Sequence, residues 1–419
     1  MVGTASHTPA PPTAASTIPV ERRSRPKDRR DRIATAAAIA FSERGYHGVS
    51  VEDIAAEVGI TKSALYRHFP GKYALFLNSA LILLDALEAA LEQSSNAGTE
   101  SSCDQLRAHL SSIIGTTITH RRTAGIYRWE RRYLRAEDRA PIRARSWEVN
   151  HVIRDCVVRI RPDLPDQDAF VTVAAMLSVI GSITAHNLTL SPRRTEQLLL
   201  DACTAIAEFD APAGEAASAP EHIRESELAV GNMREDLLRA SIRLFHHRGY
   251  AEIGVEEIAA AVGLPASGVY RYYPSKADIL AAAFYRAVDG LESATAERFR
   301  STSGPVDAVR ALTSVYVDLS FSQRELMSVY FAELINLAPG PRADLRLRQR
   351  SNIEQWSALV REVRPELPVV DSRILVYGAL NLVSDLGVFL GPAAQREAPR
   401  IQNLMMTTLL GSNVPEGQT

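Results

Sequence analysis

The chain has 419 residues, enough for two to four domains of ordinary size, with 46% hydrophobic and 23% charged residues and a formal net charge of −2. That balance is the one a soluble globular protein shows; no uninterrupted apolar run of about 18 residues offers a membrane span, and the near-zero charge gives no overall bias toward nucleic acid. The three cysteines, Cys103, Cys156 and Cys203, are far apart and match no metal spacing. They fit a reduced, cytoplasmic setting, so no metal and no cofactor are expected.

Residues 1–27 read as a disordered basic arm. The first part has no positive charge ahead of an apolar core, which argues against a secretion signal, and it is rich in Pro, Ala and Thr. Residues 21–32, "ERRSRPKDRRDR", hold six Arg and one Lys. They are either a solvated arm or a phosphate-seeking one.

The chain then repeats itself. Residues 31–76 align with 235–280 without a gap, and 17 of the 46 pairs are identical, including Phe41/Phe245, Gly45/Gly249, Ile54/Ile258, Gly59/Gly263 and Tyr66/Tyr270. Further on, "RIRPDLP" at 159–165 resembles "EVRPELP" at 362–368 at nearly the same offset. A whole unit is therefore duplicated. The expected layout is all-α: a three-helix domain over 28–88, a helical bundle over 89–209, a linker over 210–230, a second three-helix domain over 231–291, a second bundle over 292–412 and a tail over 413–419.

Within each repeat the apolar spacing is helical. Ile33, Ala36, Ala37, Ala40 and Phe41 share one face, matched by Leu237, Ala240, Ser241, Leu244 and Phe245. Gly45 and Gly249 end that helix. Ser50 with Asp53 has capping-box spacing, and Val51, Ile54, Ala55 and Val58 face inward; Gly254 and Glu257 take the matching places. Gly59 and Gly263 then break the chain. A short third helix starts near Thr61 or Pro265 and is expected to stop at Pro70 or Pro274. This is a helix-turn-helix pattern.

Only Leu65 and Phe69, or Val269 and Tyr273, are apolar enough to anchor the third helix. What remains is small or hydrogen-bonding, the profile a major-groove helix needs. Small residues let the backbone approach base edges, and Lys or Arg donates to guanine acceptors. Tyr and His reach phosphates, which fix register rather than sequence. The candidate DNA-contacting residues are Ser50, Thr61, Lys62, Ser63, Ala64, Tyr66, Arg67, His68 and Lys72. In the second copy they are Ala266, Ser267, Gly268, Tyr270, Arg271, Tyr272 and Lys276. The second copy is less basic and is expected to bind DNA with a different base preference.

"FSERGYHGVSVEDIAAEVGITKSALYRHFPGK" and "FHHRGYAEIGVEEIAAAVGLPASGVYRYYPSK" both resemble the N-terminal domain of TetR/AcrR-type transcriptional regulators. The resemblance covers about fifty residues per unit. It implies a three-helix DNA-binding domain followed by an all-helical ligand and dimerisation domain. Lys62, Ser63, Ala64, Tyr66 and Arg67 match the family's recognition helix. His68, Lys72, Tyr272 and Lys276 match its phosphate-contact positions. Members of the family usually carry one such unit and pair as homodimers, whereas this chain carries two. An intramolecular pseudo-dimer or a homodimer follows, on a double-stranded DNA operator, with derepression by an effector as the family's usual sign.

The bundles are less informative. Residues 169–188 and 373–390 mix Ala, Gly and Ser with aliphatics, which suits either a close interface between the two halves or plain core. Residues 120–145 contain nine Arg beside Tyr127, Trp129 and Tyr133. They form either a solvated, salt-bridged face or a mouth for a small hydrophobic or acyl-CoA-like effector, with Tyr127, Arg128, Trp129 and Arg131 as its residues. No Gly-x-Ser-x-Gly elbow, phosphate-cradling Gly loop or His-Glu-x-x-His occurs, so an enzyme is not expected. A DNA-binding architectural protein without small-molecule control is the alternative.

Overall fold

Two copies of one helical plan follow each other in the computed structural model, which describes residues 26–96, 98, 101–128, 133–209 and 232–412. The first unit runs α1 (Pro26–Arg44), α2 (Val51–Val58), α3 (Lys62–Tyr66), α4 (Lys72–Ser95), α5 (Ser102–Thr119), α6 (Ala136–Ile160), α7 (Asp166–Gly181) and α8 (Pro192–Glu208), with a 3-10 turn at Ala124–Arg128. The second runs α9 (Met233–Arg248), α10 (Val255–Ala261), α11 (Ala266–Val269), α12 (Lys276–Phe299), α13 (Pro305–Ser322), α14 (Arg324–Glu333), α15 (Pro339–Val363), α16 (Val369–Leu390) and α17 (Ala398–Leu410). No strand occurs among the described residues. The expected disordered arm, linker and tail lie largely outside them.

The boundaries expected at 88 and 291 fall inside α4 and α12. Head and bundle share a continuous helix in each unit, because an apolar stripe runs unbroken from Leu75 to Leu91 and no Gly or Pro interrupts α4. The same clamp holds that helix in both units. Arg145 on α6 donates to Glu88 (2.8 Å) and Asp85 (2.6 Å) on α4. Arg348 on α15 donates to Glu292 (3.0 Å) and Asp289 (2.7 Å) on α12. Forked guanidinium–carboxylate geometry gives direction as well as energy, though each part-exposed pair is worth at most about 1 kcal/mol.

The two bundles meet along one seam. α7 packs on α16, and α8 packs on α17. Ala175, Val179, Val376, Ala379, Leu382 and Val383 are fully buried there. At Gly378 an added Cβ would stand 3.3 Å from a Val179 methyl, tighter than ordinary contact, so the backbones approach where the side chain is missing. Of the two readings of 169–188 and 373–390, the seam is the one these helices form.

Polar contacts across the seam are reciprocal. Arg194 on α8 donates to the carboxylate of Asp371 on α16 (2.7 and 2.6 Å). Arg400 on α17 donates to the carboxylate of Asp168 on α7 and to its backbone carbonyl (2.8 Å). Asp168 and Asp371 are each the third residue of their helix, after matching Arg-Pro-x-Leu-Pro turns, where a carboxylate also faces the positive helix end. When i contacts j and its equivalent contacts back, the interface is isologous, as in a two-fold dimer. Here both partners belong to one chain.

Three helices, Lys72–Ser95, Asp166–Thr184 and Val369–Gln395, are long and apolar enough by length and composition to cross a membrane. Polar residues, among them Asn78 and Ser79, Ser178, and Ser384 and Asp385, interrupt their apolar runs in sequence. α7 and α16 turn this apolar surface on each other.

Removing Arg194 strands Asp371, which is 1% exposed, without its cation. Arg194→Ala is expected to lower the unfolding free energy by about 2 kcal/mol, at the low end for a buried charge because Arg194 itself is half-exposed. A urea titration followed by circular dichroism reads this directly.

Candidate nucleic-acid interface

α2 is built by its caps. Asp53 N–H donates to Ser50 Oγ (3.1 Å) and Ser50 N–H donates back to the Asp53 carboxylate (2.8 Å). Ser50 therefore caps α2. Gly59 ends α2 at φ 74°, and Thr61 Oγ1 accepts from Ala64 N–H (3.2 Å) to start α3. Leu65 and Phe69 are buried and pin α3 to the head. This leaves Lys62, Ser63, Tyr66 and Arg67 exposed on one side, with Ala64 half-buried.

α3 ends at Tyr66, not at Pro70. The Leu65 carbonyl accepts from both His68 N–H (2.9 Å) and Phe69 N–H (3.1 Å), so the chain turns where Phe69 drops into the core. Arg67 and His68 consequently belong to the turn after the helix. Head two turns at the equivalent residue, with its helix ending one position sooner. Val269 O accepts from Tyr272 N–H (2.9 Å) and Tyr273 N–H (3.0 Å), and α11 stops at Val269, well short of Pro274. Pro265 sits at the N-cap position rather than inside the first turn. Ser267, Tyr270 and Arg271 are exposed, while Ala266, Gly268 and Tyr272 are half-buried. Tyr66 and Tyr270 are exposed large side chains, at 44% and 54%, so neither is a core residue.

The two lysines after the prolines are tied into the protein. Lys276 Nζ donates to the carbonyls of Tyr250 and Ile253 (2.8 Å each) and lies 4.1 Å from the Tyr250 ring centroid. Lys72 Nζ lies 4.5 Å over the Tyr46 ring. Burial lowers both ammonium pKa values, opposed by Asp53 for Lys72 and by Glu333 for Lys276. Their geometry is that of a brace between the Gly-Tyr turn and the next helix, and both side chains are half-buried. A second brace repeats as well. Arg30 stands 4.9 Å over Phe69, and Arg234 stands 4.4 Å over Tyr273.

The candidate effector residues separate. Trp129 and Arg131 lie outside the described residues, as does the side chain of Arg128. Tyr127 is half-buried at the seam. Its hydroxyl accepts from Asn381 of the second unit (3.5 Å), and its ring fills the space a side chain at Gly181 would need. Two open depressions in the second unit, of about 220 Å³ beside Phe321 and Arg324 and about 290 Å³ beside Arg298 and Arg310, do not include Tyr127. The arginine-rich segment does touch head one: Ser42 Oγ donates to Thr123 O (3.0 Å), Arg122 pairs with Glu43 (3.1 Å), and Tyr133 stacks on Tyr46 (5.2 Å).

Two features escaped the sequence reading. Lys62 is held by Glu52 of α2, ten residues earlier, a contact with no helical spacing to signal it. The seam arginines Arg194 and Arg400 carry no motif, although their partners Asp168 and Asp371 follow the repeated Leu-Pro turn.

Two substitutions test the local geometry. A Cβ at Gly268 meets only ordinary contacts, 3.5 Å to Pro265 and 3.6 Å to Leu264. Gly268→Ala is therefore expected to stabilise the protein by about 0.5–1 kcal/mol, read as a raised Tm. Lys276→Met leaves two carbonyls without their donor and is expected to cost about 1–3 kcal/mol in chemical denaturation.

Residues 33–78 and 237–283 each match the family of bacterial regulatory proteins, tetR family. The chain is 34% identical over 136 residues to the HTH-type transcriptional repressor LfrR of Mycolicibacterium smegmatis, covering 32% of this chain and 68% of that protein. It is 36% identical over 67 residues to the biofilm operon icaADBC HTH-type negative transcriptional regulator IcaR of Staphylococcus aureus, covering 16% of this chain and 36% of that one. Among solved structures, the TetR family transcriptional regulator PfmR of Thermus thermophilus aligns with a TM-score of 0.38 at 22% identity, over 45% of this chain and 99% of that one. With paired helix-turn-helix heads on helical bundles and a relative matched over two thirds of its length, the chain belongs to the TetR family of transcriptional regulators and carries that family's DNA-binding unit twice.

Proposed function

We propose that this DNA-binding regulator is a repressor that works as a single chain, its two unlike heads reading the two unlike halves of one operator. The observation that carries this reading is the reciprocal seam. Asp371–Arg194 and Asp168–Arg400 close a two-fold-like interface within one chain, using the surfaces a homodimer would otherwise spend on a second copy. Fusion replaces a concentration-dependent dimerisation with an intramolecular one. The names of the matched relatives, a repressor and a negative regulator, support the sign. They also support a cytoplasmic site of action.

The half-sites are unlike because the groove-facing residues are unlike. Head one presents Lys62, Ser63, Ala64 and Tyr66; head two presents Ala266, Ser267, Gly268 and Tyr270. Arg67 and Arg271, in the turns, serve both. With one helical turn between half-sites, the centres lie about 34–36 Å apart. A small apolar or acyl-CoA-like effector acts in this reading through the arginine-rich segment around Tyr127, which touches head one at Ser42, Glu43 and Tyr46 and the second unit at Asn381. Its effect is limited to the difference in its affinity for the bound and released head spacings.

Selection from random DNA is expected to return one bipartite site with unlike halves, occupied by one chain as measured by the mass of the complex. A perfect palindrome bound by two chains sinks the reading. Tyr66→Ala and Tyr270→Ala are each expected to weaken operator binding by about fivefold or more. A Tyr270→Ala chain that binds as well as the original shows that head two does not read. A thermal-shift screen with acyl-CoAs and fatty acids tests the effector, and silence from both favours the architectural alternative.

A further inference from the structure

Head one carries an ion pair on its docking surface that head two lacks. Lys62 opens α3, and its Nζ donates to Glu52 Oε1 on α2 while lying 5.9 Å from the Tyr66 ring centroid. Both partners are well exposed, at 50% and 57% of the side chain. They therefore stand where DNA would arrive, on the side that also presents Ser63 and Tyr66. In head two the lysine position is Ala266. The acid, Glu256, is retained, but its carboxylate folds back to within 2.8 Å of the place a Cβ would take on Gly254, its own helix cap. The pair is thus specific to head one, whereas the first-turn placement of the acid at the positive end of its helix is common to Glu52 and Glu256.

A free ammonium on a docking surface takes any phosphate it meets. Each such contact releases counterions and steepens the dependence of log K on log salt by about 0.9. An adjacent carboxylate changes this in two ways. It neutralises the lysine and repels backbone phosphates, so indiscriminate contact is discouraged. It also makes a donor–acceptor pair: Lys donates to guanine O6 and N7, and Glu accepts from the cytosine N4 amino group. A G·C pair satisfies both members where a lone phosphate satisfies one and repels the other.

We propose that Glu52 is a specificity-determining residue of head one, pairing with Lys62 so that the lysine engages a G·C base pair in its half-site and stays out of non-specific phosphate contact. Head two reads without this device, and Ala266 favours apolar contact such as a thymine methyl. The inference rests on the reading of α3 as a recognition helix.

The test uses the full chain as wild type, Glu52→Gln, Lys62→Ala, the double variant and Glu256→Gln. Each is titrated across a salt series with the selected operator, with that operator changed at the base pair whose preference Lys62→Ala abolishes, and with a random duplex. Glu52→Gln is expected to tighten binding to the random duplex about two- to fivefold and to steepen the log–log salt slope by about 0.9. It is also expected to reduce discrimination at that one base pair. In the Lys62→Ala background the slope change should vanish, and Glu256→Gln should leave discrimination unaltered. An equal effect of Glu52→Gln with and without Lys62 overturns the proposal, because the carboxylate then acts by plain repulsion. Weaker binding to every duplex also overturns it, because Glu52 then merely positions α3. A wild-type chain with no sequence preference at all overturns the recognition-helix reading, and this inference with it.

Discussion

Everything else in the molecule hangs from the packing of α7 on α16. The contact is apolar at its centre, where Val179 meets the bare backbone of Gly378, and it is closed at both ends by an arginine reaching across to an aspartate in the first turn of the opposite helix. Apolar burial supplies most of the attraction, since it scales with area and is blind to direction. The ion pairs supply register. Each requires the partner helix to start at a particular place, and a slip of one turn would leave Asp371 buried and uncompensated.

From that seam the geometry passes outward through rigid parts. α4 and α12 are single helices shared by head and bundle, and Arg145 and Arg348 clamp each of them to the neighbouring helix at equivalent acids. No flexible joint separates reading head from bundle within a unit. The spacing of the heads is therefore a property of the seam, and a small rotation there moves both ends of the molecule.

The two heads keep one skeleton and differ in how they are attached. Head one shares a continuous buried cluster with the seam, extended through Phe41, Tyr46, Phe76 and Tyr133. Head two has a cluster of its own. That cluster ties it to α14 and α15 of its own unit through Leu326, Val329, Tyr330 and Leu345, and buried Glu333 accepts from Tyr250 N–H (3.1 Å). Strain applied at the seam reaches head one through a cluster continuous with it, and reaches head two through the shared helix α12 and a separate cluster. The asymmetry in attachment parallels the asymmetry in sequence between α3 and α11.

Local chemistry decided much of this in advance. Helical periodicity, the Ser50–Asp53 box and the anchors Leu65, Phe69, Val269 and Tyr273 are all short-range, so the heads and their tandem order could be read from the residues alone. The caps and glycines that punctuate α1 to α3 and α9 to α11 act within four residues of themselves, which is the range a sequence exposes. What depended on distant segments was hidden. Lys72 and Lys276 look like free side chains until the Gly-Tyr turn folds beneath them. Lys62 looks like an independent donor until α2 brings Glu52 beside it. The prolines after α3 and α11 seem to end those helices, yet it is the burial of Phe69 and Tyr273 that turns the chain earlier. Which aspartate meets which arginine across 177 or 232 residues was set only when the two bundles closed. The sequence by itself determined that there are two heads and that they differ; tertiary packing decided that the two bundles close on each other, because that closure is made of contacts no local pattern encodes.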